Sequence, residues 1–117
     1  MTPTVELREE LRELLDEVIP EGGMESDTRF TDAQLDKLLS KTNNIYAAAA
    51  GCWTRKAAMF QRELGQVQSY SVGQERYDLA KAKDLLEYAL EMAETYSRMA
   101  ASSMGSMVFR FTPPEVL

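Results

Sequence analysis

The sequence contains no histidine and only one cysteine, Cys52. Lacking histidine, it lacks the commonest general base and the commonest metal-binding side chain. A single cysteine forms no intramolecular disulfide and builds no zinc site of the cysteine type. No phosphate-cradling glycine loop and no nucleophile-elbow motif is present. Proline occurs four times and glycine six times, mostly at punctuation points, which implies long regular elements with few breaks. No apolar run approaches the roughly 18–20 residues that a membrane-spanning helix needs. The start, Met1-Thr2-Pro3-Thr4-Val5-Glu6, has neither a basic nor an apolar leader region, so synthesis in a reducing cytoplasm is expected. Together these absences argue against an enzyme and imply no cofactor and no membrane.

A basic run is also lacking. The net charge is −6, and residues 1–27 carry nine acids against two arginines, while the rest is close to neutral at +1. Such a chain is a poor ligand for phosphate backbones, although it can lie beside DNA without gripping it. At 117 residues it fits one domain with a modest core.

The residues that are present read as helices. Leu7, Leu11, Leu14 and Val18, with Leu15, form one apolar face, capped by Thr2 or Thr4 with Pro3 in the first turn. Glu6, Glu10, Glu13 and Glu17 repeat the same spacing one residue earlier, and Arg8 and Arg12 lie on the opposite flank. The glutamate stripe reads as a solvated helix face, with no Glu-x-x-His pair to make it a bundle metal site. Pro20, Gly22 and Gly23 are expected to end this helix.

Phe30-Thr31-Asp32-Ala33-Gln34-Leu35 has the pattern of a capping box with a hydrophobic staple. The apolar trace beyond it, through Leu38, Leu39, Ile45, Tyr46, Ala49, Trp53, Ala57, Phe60 and Leu64, predicts one rod of about 33 residues, roughly 50 Å long, ending at Gly65. Trp53 and Phe60 read as core. Ala47-Ala48-Ala49-Ala50-Gly51-Cys52 permits close approach by a helix of the same chain or of another subunit. Cys52, among small core-type residues, reads as inert.

Residues 65–76 read as a loop arm longer than a helical hairpin needs. A further helix is predicted from about Arg76 to Met104. It carries one apolar trace through Leu79, Ala82, Leu86, Ala89, Ala93, Tyr96 and Ala100, and a neighbouring one at Leu85, Met92 and Met99. Two stripes imply burial on more than one side. Beyond it, Met107-Val108-Phe109-Arg110-Phe111 is β-prone, and Thr112-Pro113-Pro114 stiffens the last residues of the chain. The expected fold is all-α: a short N-terminal helix and a long antiparallel helical pair over 1–104, with an extended loop arm, then a non-helical docking tail at 105–117.

Four stretches carry a likeness to a known family: the acidic, leucine-rich first helix; Asp27-Thr28-Arg29-Phe30-Thr31-Asp32-Ala33-Gln34-Leu35; Ile45-Tyr46-Ala47-Ala48-Ala49-Ala50-Gly51-Cys52-Trp53 with Lys56-Ala57; and Val72-Gly73-Gln74-Glu75-Arg76-Tyr77, then Ala93-Glu94-Thr95-Tyr96. In order and spacing the chain resembles the head–tail connector proteins of long-tailed bacteriophages, also called adaptor or head-completion proteins. That resemblance implies a homo-oligomeric ring, commonly of twelve copies, in the virion at the head–tail interface. The ring would bind the portal protein and a stopper or tail-completion protein, with double-stranded DNA passing nearby unbound. The two arms suit such contacts: portal docking is expected of the tail, Met107, Val108, Phe109, Arg110 and Phe111, and loop-arm contacts of Val67, Tyr70, Val72 and Tyr77. Ring-neighbour contacts would come from Glu6, Glu10, Glu13 and Glu17 against Arg8 and Arg12. Cys52, Met99, Met104 and Met107 match no feature of that family. Without the resemblance, the same residues would suit a small cytoplasmic helical adaptor that binds a single partner.

Overall fold

The structure is a computed structural model that describes the backbone of residues 1–68 and 74–109, with side chains for 1–66 and 80–102. Among the described residues there are four α-helices and no strand: α1 (Val5–Leu15), α2 (Asp32–Ser40), α3 (Ile45–Gln68) and α4 (Gln74–Phe109). One turn of 3₁₀ helix, Glu25–Asp27, lies between α1 and α2.

The all-helical class and the long antiparallel pair agree with the sequence. Tyr46 stacks on Tyr96 with ring centroids 6.2 Å apart and planes 8° from parallel. Two turns further along α3, Trp53 and Tyr88 form a T-shaped pair with ring centroids 5.5 Å apart. As the α3 number rises by seven the α4 number falls by eight, which is the register of antiparallel helices. α4, at 36 residues, is about 54 Å long by helical rise, and the molecule measures 56 × 36 × 23 Å. The radius of gyration is 17.1 Å, against about 13 Å for a compact chain of this length.

The core fills the space between α3, α4 and the two short helices. Leu11, Leu15, Phe30, Leu35, Leu39, Ala48, Ala49, Cys52, Trp53, Ala57, Phe60 and Ala89 form one buried cluster. Trp53 and Phe60 are therefore core residues, as the apolar trace predicts. The alanine-rich stretch packs within the chain: Ala48 and Ala49 are fully buried, and a Cβ on Gly51 would come no nearer than 4.0 Å to Leu38 of α2.

Local signals explain most helix ends. The Thr4 hydroxyl accepts from the Leu7 N–H at 3.1 Å and caps α1. The capping box at α2 is complete: the Thr31 hydroxyl accepts from the Gln34 N–H, and the Gln34 side chain accepts from the Thr31 N–H. Its staple residues, Phe30 and Leu35, are both buried. Such caps contribute about 1 kcal/mol each.

Four boundaries differ from the sequence reading. α1 stops at Leu15, short of Pro20, because Asp16 adopts the left-handed conformation (φ 57°). The Asp16 N–H then donates to the Glu13 carbonyl and the Glu17 N–H to the Arg12 carbonyl, closing the end in a Schellman arrangement. The single rod from Thr31 to Leu64 is broken at 41–44. There the Asn44 side chain accepts from the Tyr46 N–H at 2.7 Å and starts α3 afresh. Asn and Thr favour such side-chain to backbone bonds over continued helix. Gly65 does not stop α3, which runs to Gln68, and Gly105 does not stop α4, which runs to Phe109. A glycine inside a helix costs only about 1 kcal/mol, which adjoining turns can carry. The backbone of Met107, Val108 and Phe109 is thus helical where an extended strand was expected, and residues 110–117 lie outside the described residues.

Candidate interaction surfaces

The side chains expected to carry contacts divide into those the fold uses internally and those it leaves outside. Arg12 is 4% exposed. Its Nη1 donates to the Glu17 carbonyl (3.0 Å) and the Thr28 hydroxyl (2.9 Å), and its Nη2 to the Phe30 carbonyl (3.0 Å) and Asp32 Oδ1 (2.9 Å). Arg8 makes a two-pronged contact with Asp36, Nε and Nη2 each at 3.0 Å, and that hydrogen bond raises the pKa of its guanidinium. Glu17 Oε2 lies 2.8 Å from Lys56 Nζ, and its other oxygen accepts from the Arg29 N–H. Lys56 is itself buried, donates to the Leu15 carbonyl at 2.7 Å and lies 4.1 Å above the Trp53 ring.

These placements correct part of the sequence reading. Arg12 is buried, Glu17 is largely covered, and both are bonded within the chain, as is Arg8 to Asp36. The physical reason lies in the loop at 16–31, whose carbonyls need donors once buried. A planar guanidinium near the end of α1 reaches four acceptors at once. The basic flank of α1 is thereby spent on closing its own domain. Glu6, Glu10 and Glu13 do remain on the exposed side, joined by Glu9, and none of the four pairs with a cation among the described residues. Sequence reasoning missed Glu9 because it breaks the strict spacing, although at 100° per residue it falls on the same face.

Other expected contact residues lie beyond the described side chains. Tyr70 and Val72 of the loop arm, and Arg110 and Phe111 of the tail, are outside the described residues. Val67 and Tyr77 have helical backbone in α3 and α4.

Two further surfaces stand out, the second apolar stripe that the sequence gives α4 and a groove that no motif marks. On α4, Leu85, Tyr88 and Met99 stand 37%, 45% and 39% exposed, with the half-buried Met92 between them. Leu85, Met92 and Met99 repeat every seven residues, the period of a helix seam. The second surface is a groove of about 190 Å³ between α2 and α3. Phe30, Leu38, Ala58 and Met59 line it, with Gln34, Arg55 and Arg62. Arg55 and Arg62 are exposed and form no ion pair among the described residues. A third hollow, beside α1, is lined by Arg8, Glu9, Arg12, Glu13, Val18, Ile19 and Asp32.

Among the described residues no group of three or more acids or thiols is placed to hold a metal ion, and no helix is long and apolar enough to cross a membrane. Burial pushes the Cys52 thiol up to about 12, which leaves it protonated and unreactive at neutral pH. The unfolded thiol, with a pKa near 8.5, loses its proton first, so the folded state is disfavoured progressively from about pH 8.5 to 12. The stability of the wild-type chain is expected to fall more steeply above pH 9 than that of Cys52→Ala. The difference should be up to about 1.4 kcal/mol per pH unit, measured by urea titration at stepped pH. Parallel slopes would show that Cys52 ionises freely in the folded chain. Comparison with protein-family models, with curated proteins and with solved structures finds no match to this chain.

Proposed function

We propose that the chain is a structural subunit of a bacteriophage head–tail connector, forming a ring of about twelve copies beneath the portal at the head–tail interface of the virion. The observation that carries this reading is the outward stripe of α4. Leu85, Tyr88 and Met99 remain exposed at near-heptad spacing after α1, α2 and α3 have closed the rest of the core. A helix with a second apolar seam is suited to packing against another subunit.

Further support comes from the rod-like shape, which presents long sides to neighbours, and from the resemblance of the four sequence stretches to the connector family. The net charge of −6 suits a channel through which DNA slides without adhering. In this reading the ring extends the DNA channel and offers the next component, a stopper or tail-completion protein, its docking surface. The segment at 107–111 reaches the portal, and the connection between α3 and α4 reaches ring neighbours or the next component. The role is structural, with no reaction catalysed and no cofactor.

The test is to mix the full chain with portal protein and examine the mixture by negative-stain imaging and light scattering. A ring of about twelve copies seated on the portal is expected. Absence of association at micromolar concentration would sink the proposal, and a one-to-one complex with a different partner would favour a simple adaptor instead.

A further inference from the structure

We infer that the acidic outer face of α1 docks on the α2–α3 groove of a second copy of this chain, with Glu6 and Glu13 meeting Arg55 and Arg62. The inference names an interface for the proposed ring and rests on that reading for its biological setting, but its geometry stands separately.

Three observations support it. The first is charge. Glu6, Glu9, Glu10 and Glu13 all lie on the exposed side of α1 and form no ion pair among the described residues, and Arg55 and Arg62 at the groove form none either. Each face lacks what the other carries. The second is spacing. Glu6 and Glu13 are seven residues apart on α1, and Arg55 and Arg62 are seven apart on α3. Two turns of helix separate each pair by about 10.5 Å along its axis. Two helices laid side by side therefore bring both pairs into register together. The third is the apolar content. The groove has Phe30, Leu38 and Met59 along its walls, and Val5 and Val18, each more than half exposed, flank the carboxylates of α1.

The chain cannot make this contact with itself. The other side of α1 is fixed to α2 by Arg8–Asp36 and Arg12–Asp32 and to α3 by the Trp53 and Lys56 hydrogen bonds, which holds its glutamates facing outward. The two surfaces share no residue, so a copy that uses one still offers the other. Contacts of that kind are head-to-tail and close into a ring when the rotation permits. A nucleic acid is a poorer occupant, because two arginines on a chain of net charge −6 neutralise few phosphates.

The test uses two full-length double variants, Glu6→Lys with Glu13→Lys and Arg55→Glu with Arg62→Glu. Circular dichroism first checks that each keeps wild-type helix content. Self-association is then measured by sedimentation velocity at low salt, for the free chain and for the chain with portal. Each variant alone faces like charge across the interface and is expected to associate at least tenfold more weakly than wild type. An equimolar mixture restores opposite charge at every junction and is expected to recover wild-type association. Raising the salt should weaken the wild-type contact. Three results would overturn the inference: variants that associate like wild type, a mixture without recovery, or a wild-type chain that is monomeric both free and with portal. Loss of DNA retention by the arginine variant, with self-association unchanged, would overturn it in favour of a nucleic-acid contact. A ring on the portal that ignores both charge reversals sinks this interface and spares the connector reading. Charge-dependent self-association that ignores portal does the reverse.

Discussion

Replacing Arg12 by alanine is expected to lower the unfolding free energy by about 3–5 kcal/mol, the range found when one partner of a buried charged network is removed. Its guanidinium ties together the end of α1, the loop after it and the start of α2, through four hydrogen bonds of 2.9–3.0 Å. Alanine would strand the carbonyl of Glu17 without its donor and leave that of Phe30 with the Thr28 hydroxyl alone, and an unsatisfied buried acceptor costs about 1–3 kcal/mol. It would also leave Asp32 one cation short, although Asp32 is 37% exposed and water compensates in part. Arg12→Lys should recover only part of the loss, since one ammonium cannot span four acceptors in the plane of a guanidinium. Because small domains hold only about 5–15 kcal/mol in total, the alanine variant should be visibly destabilised in urea at 25 °C. A loss under about 1 kcal/mol would mean that the loop at 16–31 is held by other contacts.

The second large effect is expected from Trp53→Ala, also about 3–5 kcal/mol. Trp53 is 1% exposed and heads the fully buried side chains by volume. It touches three helices in different ways. Its Nε1 donates to the Leu14 carbonyl of α1 at 3.1 Å, its ring lies beneath the Lys56 ammonium of α3, and the Tyr88 ring on α4 packs against it with planes at 87°. Alanine would remove the packing and open a cavity at the junction of all three. Trp53→Phe keeps a ring and loses the N–H bond, so it should cost less than the alanine variant. Denaturation monitored by far-ultraviolet circular dichroism measures both without depending on tryptophan emission. Equal costs for the two variants would place most of the tryptophan's contribution in the single hydrogen bond to α1.

Several parts of this architecture were legible in the order of residues. The Thr31 and Gln34 pair around Asp32 and Ala33 names a helix start, because one hydroxyl and one amide satisfy each other's backbone N–H groups whatever else the chain does. The apolar stripe of α1 likewise fixes which side faces inward, and the antiparallel pairing of the two long helices comes from two amphipathic traces with only residues 65–76 between them. Other features were not legible. The left-handed Asp16 gives no glycine signal, and the break at 41–44 was masked by an apolar trace that resumes in phase at Ile45. A gap of five residues without an apolar side chain, Ser40-Lys41-Thr42-Asn43-Asn44, was the available clue.

The candidate surfaces show the same division. That α1 has an acidic side and that α4 carries a second apolar stripe are facts of spacing, settled by helical periodicity alone. Which charges remain available was decided only by tertiary structure. Arg8, Arg12 and Glu17 looked like surface groups, but Asp36 of α2 holds Arg8, and the carbonyls and N–H groups of the loop at 16–31 take Arg12 and Glu17 as partners. Arg55 and Arg62 looked ordinary and have no ion pair among the described residues, because the α2 side chains that line their groove, Gln34 and Leu38, carry no carboxylate. Sequence determines the face each side chain takes on its own helix, since that depends on a fixed rotation per residue. Whether that face meets another helix, a loop or water depends on how separate elements pack, and no local pattern encodes that.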